Sequence, residues 1–291
     1  MAKVKTAAAL GFFDGVHSGH RAVLKAATAM KMKGLVPCAF TFPPESTAGK
    51  GNDYIYGSAE KEFIMKEHCG IEKIYSPQFT DVCGMSGDSF ARDILRKEMN
   101  VSYVVCGNDF RFGRDASCGV AELAEFGRKY GFDVQTVDDV CIGNERVSST
   151  LIRRLLSKGE VRRAGLMLGE PYIIMKEIAS GARLGRTIGF PTANQLFSKG
   201  QLVPAYGVYS SRTLYEGKWY PSMTNIGMKP TVGYGGAPLA ETYISGFSGD
   251  LYGKTVQVVL LEFIRHEKRF SDIEQLRQQI KLDVEKSIHR P

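Results

Sequence analysis

Apolar positions in the first half of the chain fall into short unbroken runs that alternate with stretches of helical spacing. Residues 7–10 form the first run. It ends in a turn where Gly11 and Gly15 flank Asp14, and where His17 and His20 bracket Gly19. Val23, Leu24, Ala27 and Met30 then recur at helical spacing until Gly34 breaks the pattern. This predicts a buried strand, a tight glycine turn and a helix that opens at His20. The alternation continues, with strands expected over 35–42, 71–75, 101–106 and 132–137. Helices are expected over 58–69, 89–99 and 120–130, the last closed by Gly131. Such alternation implies a parallel, doubly wound α/β sheet. Ligands bind beyond the carboxyl ends of strands in these sheets, so the loops at 11–20 and 107–113 should open onto one crevice.

Beyond residue 168 the pattern changes. Short runs at 172–178, 206–215, 218–225, 241–245 and 255–263 are separated by glycine-rich turns. Val256, Val258 and Leu260 recur with a period of two, as a half-buried strand requires. Many short strands with turn signals predict a small antiparallel β-barrel. One long helix should follow, with Ser271 and Glu274 spaced as a capping box and Ile273, Leu276, Ile280 and Val284 as its packing stripe. The boundary is placed at 168, giving domains 1–168 and 169–291.

Composition narrows the setting. Of 291 residues 43% are hydrophobic, enough for two modest cores. A formal net charge of +7, spread without a basic block, suits phosphate-rich ligands without separating nucleotides from nucleic acid. The six cysteines form no C-x-x-C pair, and Cys38 and Cys106 lie in apolar runs. A reduced, cytoplasmic protein is expected. The apolar start superficially imitates a signal peptide, but Asp14 and His17 follow at once, so it reads as a strand. No apolar stretch approaches the about 20 residues that span a bilayer.

The turn at 11–20 carries the clearest chemistry. Unpartnered amides and the helix dipole make a helix N-terminus attractive to phosphate, and histidines there can donate further hydrogen bonds. Two histidines beside a glycine turn can equally be surface residues. As zinc ligands they are too few, with no third histidine or C-x-x-C nearby. Ser148, Ser149 and Thr150 precede a run containing Ile152, Leu155 and Leu156, which reads as an ordinary helix cap. The same hydroxyls with Arg153 would also clamp phosphate.

Taken whole, G-x-F-D-G-x-H-x-G-H over residues 11–20 resembles the signature of adenylyl-transferring nucleotidyltransferases. In particular it resembles the adenylyltransferase half of bacterial bifunctional riboflavin kinase/FAD synthetases. Four further segments resemble that family in the same order: S-S-T-x-I-R at 148–153, L-G-E-P-Y at 168–172, G-x-P-T-A-N at 189–194, and R-x-E-x-x-F at 265–270. Two segments depart from it. Residues 41–46 read Thr-Phe-Pro-Pro-Glu-Ser, without the usual aspartate and histidine, and Tyr243, Gly246 and Ser248 replace a histidine and two acidic residues.

The resemblance implies an α/β nucleotidyltransferase domain followed by a kinase barrel that makes FMN from riboflavin and ATP. The first domain would join FMN to the AMP part of a second ATP, giving FAD and pyrophosphate. It implies catalytic roles for His17, His20, Arg153 and Glu241, the last as base for the riboflavin hydroxyl. Nucleotide contacts would come from Gly11, Phe12, Asp14, Gly19, Ser149, Thr150, Gly185, Arg186 and Pro191. Flavin contacts would come from Asp109, Phe110, Arg111, Arg265 and Phe270. Thr192 and Asn194 would hold Mg²⁺, which prefers oxygen ligands. The expected partners are riboflavin, FMN and ATP, with no nucleic acid and no membrane, in a monomer or weak homo-oligomer. The rivals are a chain with one active half, a flavin sensor without turnover, and a tRNA- or RNA-related nucleotidyltransferase. The last lacks a K-M-S-K-S-like segment.

Overall fold

The computed structural model describes residues 4–47, 53–179, 192–228, 236–268 and 271–288. It divides into two compact units, Met1–Ser149 and Thr150–Pro291. The expected site residues Gly185, Arg186, Pro191 and Phe270 lie outside the described residues.

In the first unit, strands β1 (Thr6–Leu10), β2 (Val36–Phe40), β3 (Lys73–Tyr75), β4 (Val101–Gly107) and β5 (Asp133–Val137) form one sheet. Their order is β3-β2-β1-β4-β5 and every pairing is parallel. All five residues of β1 are buried, as a central strand covered on both faces must be. Helix α1 (Ser18–Ala29) packs on β1, β2 and β4. The helical stretches expected over 58–69 and 89–99 are present, each changing register part-way. α2 (Ser58–Phe63) passes into a π-helical turn at Ile64–His68. A short α3 (Phe79–Val82) precedes α4 (Gly87–Ser89), which continues as a π-helix over Phe90–Glu98. α5 (Val120–Tyr130) stops at Gly131, whose φ of 78° is left-handed. Leu10, Phe40, Phe90, Leu95, Val104, Phe112 and Leu123 fill one core. Cys38 and Cys106 are fully buried and free, and burial pushes each thiol up to about 11. A two-residue hairpin, β6 (Cys141–Ile142) and β7 (Glu145–Arg146), follows.

Sheet order places the site. β1 pairs with β2 on one side and β4 on the other, so the chain leaves the sheet centre in opposite directions. A crevice at the carboxyl ends of such a pair is the usual ligand position.

The second unit opens with α6 (Ser149–Ser157), which spans the unit boundary, and α7 (Val161–Leu168), a helix the sequence pattern did not suggest. α7 packs on β8 (Tyr172–Glu177) and β13 (Thr255–Arg265). With β9 (Thr192–Leu196), β10 (Gly207–Tyr215), β11 (Lys218–Met228) and β12 (Pro238–Ile244) these make an antiparallel sheet, ordered β8-β13-β10-β11-β12-β9. The sheet curls until its two edges meet, where the Ala179 amide donates to the Asn194 carbonyl at 2.9 Å. Residues 192–196, which the sequence pattern did not mark as a strand, form an edge strand, because the ladder with β12 supplies their partners.

Helix α8 (Ile273–Ile288) packs on β10 and β11. Its cap is Asp272 rather than the expected Ser271, since the Asp272 carboxylate accepts the Gln275 amide at 2.8 Å. Of the expected stripe, Ile280 and Val284 are half-buried. A stronger tie is ionic: Arg265 makes a forked contact with Asp283, Nη2 to Oδ2 at 2.6 Å and Nε to Oδ2 at 3.0 Å, and Asp283 is 0% exposed. Gln279 also donates to that carboxylate at 2.9 Å. Removing the cation leaves a buried carboxylate short of its partner, so Arg265→Ala should destabilise the second unit by about 3–5 kcal/mol. Chemical denaturation followed on that unit's transition checks it. Arg265→Met combined with Asp283→Leu should recover most of the loss.

Candidate active sites

The turn after β1 is built from residues in unfavourable backbone shapes. Phe13 and Val16 have φ of 53° and 40°, and Gly15 has 79°. A side chain at Gly15 would also strike Ile55, whose Cδ1 lies 2.8 Å from an added Cβ. Such a turn persists only where surrounding contacts fix it. Here the Asp14 carboxylate, 3% exposed, accepts the Ile55 amide at 2.8 Å, and the Asp14 carbonyl accepts the Ser149 hydroxyl at 2.9 Å. Arg21 Nε donates to the Val16 carbonyl at 3.0 Å. The structure thus places Ser149 at the turn, bonded to the backbone of Asp14.

Helix α1 begins before His20. His17 is its N-cap, with Nδ1 accepting the His20 amide at 3.3 Å, so the helix opens at Ser18. That bond leaves Nε2 of His17 to carry the proton of the neutral ring. The imidazoles of His17 and His20 stack at 3.5 Å between centroids, and Phe13 meets His20 edge-on at 5.4 Å. Gly19 permits this closeness, since an added Cβ would lie 3.2 Å from the His17 ring. Desolvation lowers His17 to about 4, helped by the charge of Arg146. Desolvation also carries His20 well below its usual range, with His17 and Lys61 adding to the effect. Both rings are therefore neutral near pH 7. Nδ1 of His20 is buried and has no hydrogen-bond partner.

Around this turn the expected residues divide. Gly11 lies against the Phe13 ring, and the Phe12 carbonyl faces Lys61 and Thr41. Thr150 is exposed at the start of α6, and Arg153 is half-buried one turn on, within the second unit. In the loop after β4, Asp109 pairs with Arg146 at 3.2 Å and is largely exposed. Phe110 stacks on Phe112 at 5.7 Å, and Arg111 folds back onto the Ala116 carbonyl.

In the second unit, register fixes a second cluster. Glu241 pairs with Asn194 across the ladder and with Asn225 on its other side, and Tyr243 pairs with Thr192. Directly opposed residues share a face, and residues two apart share it too. Thr192, Asn194, Glu241 and Tyr243 thus lie together, with Ala193 and Thr242 on the opposite face. The Thr192 hydroxyl donates to Glu241 Oε1 at 2.7 Å. Asn194 is 5% exposed, and its Oδ1 has no hydrogen-bond partner. An orphaned carbonyl oxygen beside a hydroxyl whose proton is already committed is a donor set suited to a hard cation.

Two family models match the chain, one described as FAD synthetase over residues 1–151 and one as riboflavin kinase over 168–289. A bifunctional riboflavin kinase/FMN adenylyltransferase from Escherichia coli (strain K12) is 35% identical over 281 residues, covering 94% of this chain and 89% of the relative. The chain belongs to the bifunctional riboflavin kinase/FMN adenylyltransferase family. The Listeria monocytogenes (EGD-e) member is 34% identical, with the same coverage of 94% and 89%. A crystal structure described as a macrolide-efflux protein from Streptococcus pneumoniae is also similar, at 30% identity and a TM-score of 0.81, covering 100% of this chain and 96% of that one. Among the described residues no helix is long and apolar enough to cross a membrane.

Sequence reasoning missed Lys61, which is 3% exposed and donates to the Phe12 carbonyl of the turn at 11–20. Its helix gave no signal, because a lysine between two glutamates reads as a solvated face. It also missed Arg146 and Asp283, whose partners are distant in sequence.

The histidine environment makes a pH prediction. A histidine whose folded value is depressed binds fewer protons than the unfolded chain at mildly acid pH, so stability falls as pH drops. For His17 the loss should begin below about 6.5 and reach on the order of 3 kcal/mol once pH passes about 4. Thermal unfolding of the first unit should show it, and His17→Asn should flatten that dependence.

Proposed function

We propose that the chain phosphorylates riboflavin in its second unit and adenylylates the resulting FMN in its first. The observation that carries this is the presence, in one chain, of a histidine-capped turn at the sheet's switch point and a Thr192–Glu241 pair on the barrel face. The functional division falls near Leu168, between segments 1–168 and 169–291.

In the kinase step, the Glu241 carboxylate takes the proton of the riboflavin 5′-hydroxyl as its oxygen attacks the γ-phosphorus of ATP, and ADP leaves. The Thr192 hydroxyl, donating to Glu241, orients that base. Thr192 and Asn194 hold Mg²⁺, which when bound neutralises charge on the phosphates. Gly185, Arg186 and Pro191 are assigned to ATP on motif alone, and Phe270 to flavin.

In the adenylyl step the FMN phosphate attacks the α-phosphorus of ATP in line and pyrophosphate leaves, so the protein's task is positioning and charge stabilisation. His17 and His20 serve as neutral N–H donors rather than as standing cations, because burial keeps both unprotonated. The first-turn amides of α1 add to them, with Gly11, Phe12, Asp14, Gly19, Ser149 and Thr150 shaping the nucleotide site. Arg153 is assigned to the phosphates on motif alone. Asp109, Phe110 and Arg111 receive the flavin. Arg265, already forked onto Asp283, acts on flavin through the position of its loop. The enzyme works in the cytoplasm on riboflavin, FMN and ATP, without nucleic acid or membrane, as a monomer or weak homo-oligomer.

Incubation with riboflavin and Mg-ATP, with FMN and FAD resolved by chromatography, should yield both products. Glu241→Gln should cut FMN formation about a hundredfold or more while leaving FAD formation from supplied FMN near wild type. His20→Ala should cost about 10²–10³ in FAD formation and spare the kinase. If both substitutions depress one activity, or either depresses both in folded protein, the assignment of two sites fails.

A further inference from the structure

Lys61 is a buried charge that the adenylyl-transfer chemistry above does not use. Its ammonium reaches three oxygens: the Phe12 carbonyl at 2.5 Å, Thr41 Oγ1 at 2.7 Å and the Phe42 carbonyl at 2.9 Å. The hydroxyl proton of Thr41 is already given to the same Phe12 carbonyl, at 2.9 Å, so Thr41 Oγ1 can only accept from Lys61. Turning an N–H to each of the three oxygens takes three donors, and only the protonated amine has them. The ammonium also lies 4.9 Å from the centre of the Phe12 ring.

The positions of those oxygens give the arrangement its meaning. Phe12 belongs to the turn after β1, and Thr41 and Phe42 to the loop after β2, the neighbouring parallel strand. Lys61 reaches both from α2, whose first residue is itself held by Glu45: the Ser58 amide and hydroxyl donate to that carboxylate at 3.0 and 2.6 Å. Glu45 stands in the segment where this chain departs from the family pattern.

We propose that Lys61 is a positioning residue for adenylyl transfer, its ammonium pinning the histidine-bearing turn to the loop after β2. The inference rests on the adenylyl-transfer reading of the first unit. Losing one proton replaces an N–H with a lone pair that faces one of the three oxygens, so one attraction turns to repulsion and the turn loosens. The groups facing Lys61 set where this happens. Burial lowers the amine to about 7, against the opposing pull of Asp14 from the turn and Glu45 from the loop. His20 of α1 faces it as a neutral ring, held down in part by the lysine's own charge. The active form is the protonated one, so adenylyl transfer should decline on the alkaline side.

The test uses the full chain and follows FAD formation from FMN and Mg-ATP across neutral and alkaline pH, with riboflavin phosphorylation as a control for folding. In the wild type, kcat/KM for ATP, which reports the free enzyme, should fall above an apparent pKa near 7. Lys61→Arg keeps its charge at every pH in the range, so it should retain activity and move that fall to higher pH. Lys61→Met should lose about 10²-fold in adenylyl transfer throughout, the scale expected when a reacting group is misplaced, with the kinase preserved. An alkaline fall that coincides in wild type and Lys61→Arg overturns the proposal, as does near-wild-type adenylyl transfer by folded Lys61→Met. Should Lys61→Met not fold, the arginine comparison decides alone. A wild type that makes FMN but no FAD overturns the adenylyl-transfer reading, and this inference with it. A wild type that makes FAD with no alkaline fall removes only the role of Lys61.

Discussion

The first unit depends on one constraint: a turn bent into left-handed backbone shapes cannot satisfy most of its own carbonyls. Regular structure pairs every amide with a carbonyl, but Phe12, Asp14 and Val16 stand outside any ladder, with Phe13, Asp14 and Val16 buried. Their oxygens are met from four separate places, by Lys61 of α2, Thr41 after β2, Ser149 at the end of the unit and Arg21 of α1. The turn is therefore an outcome of the whole unit's folding rather than a local motif. Its shape leaves the first-turn amides of α1 and a pair of stacked imidazoles at the carboxyl end of the central strand.

Electrostatics in that turn follow from the same burial. Desolvation removes the protons from both histidines, while Lys61 stays near its titration point because Asp14 and Glu45 offset part of the same penalty. Neutral rings at this turn agree with the donor role proposed for them. Two stacked imidazolium ions 3.5 Å apart would repel strongly. An arriving anion would offset the repulsion that a second proton meets. The positive character of the turn comes from the amides of the helix start and from the protonated form of Lys61.

What the sequence disclosed follows from how local each signal is. β1 was legible because five buried residues in succession leave no polar side to solvent, and α5 because Gly131 both ends the pattern and takes a left-handed conformation. The histidine turn was legible as a phrase of adjacent residues. β9 was not, since Thr-Ala-Asn-Gln-Leu carries no alternation, and its strand character comes from pairing with β12. The opening of α1 was placed late because capping by a histidine nitrogen replaces the usual hydroxyl or carboxylate. Lys61 and Asp283 were illegible for one reason. Each is a charge whose burial is made tolerable by a partner far along the chain, and hydropathy spacing assigns such residues to solvent.

The two sites also differ in what fixes them, and that bears on how each tolerates sequence change. The barrel cluster is set by ladder register: once β9, β12 and β11 pair, Asn194, Glu241 and Asn225 stand side by side whatever the loops contain. The substitution to Tyr243 on that face, and those to Gly246 and Ser248 beyond the strand's end, leave the register intact. The turn in the first unit has no ladder of its own and draws on contacts from the loop after β2, the segment that has lost the family's aspartate and histidine. In this chain that loop meets the turn through Thr41 and the backbone of Phe42, with Lys61 as the shared donor. Backbone and hydroxyl oxygens do the holding, and within positions 43–46 Glu45 adds a side chain, which fixes Ser58 at the start of the helix that carries Lys61. A site held in that way survives divergence in the loop as long as the lysine, the threonine and the carboxylate of Glu45 remain.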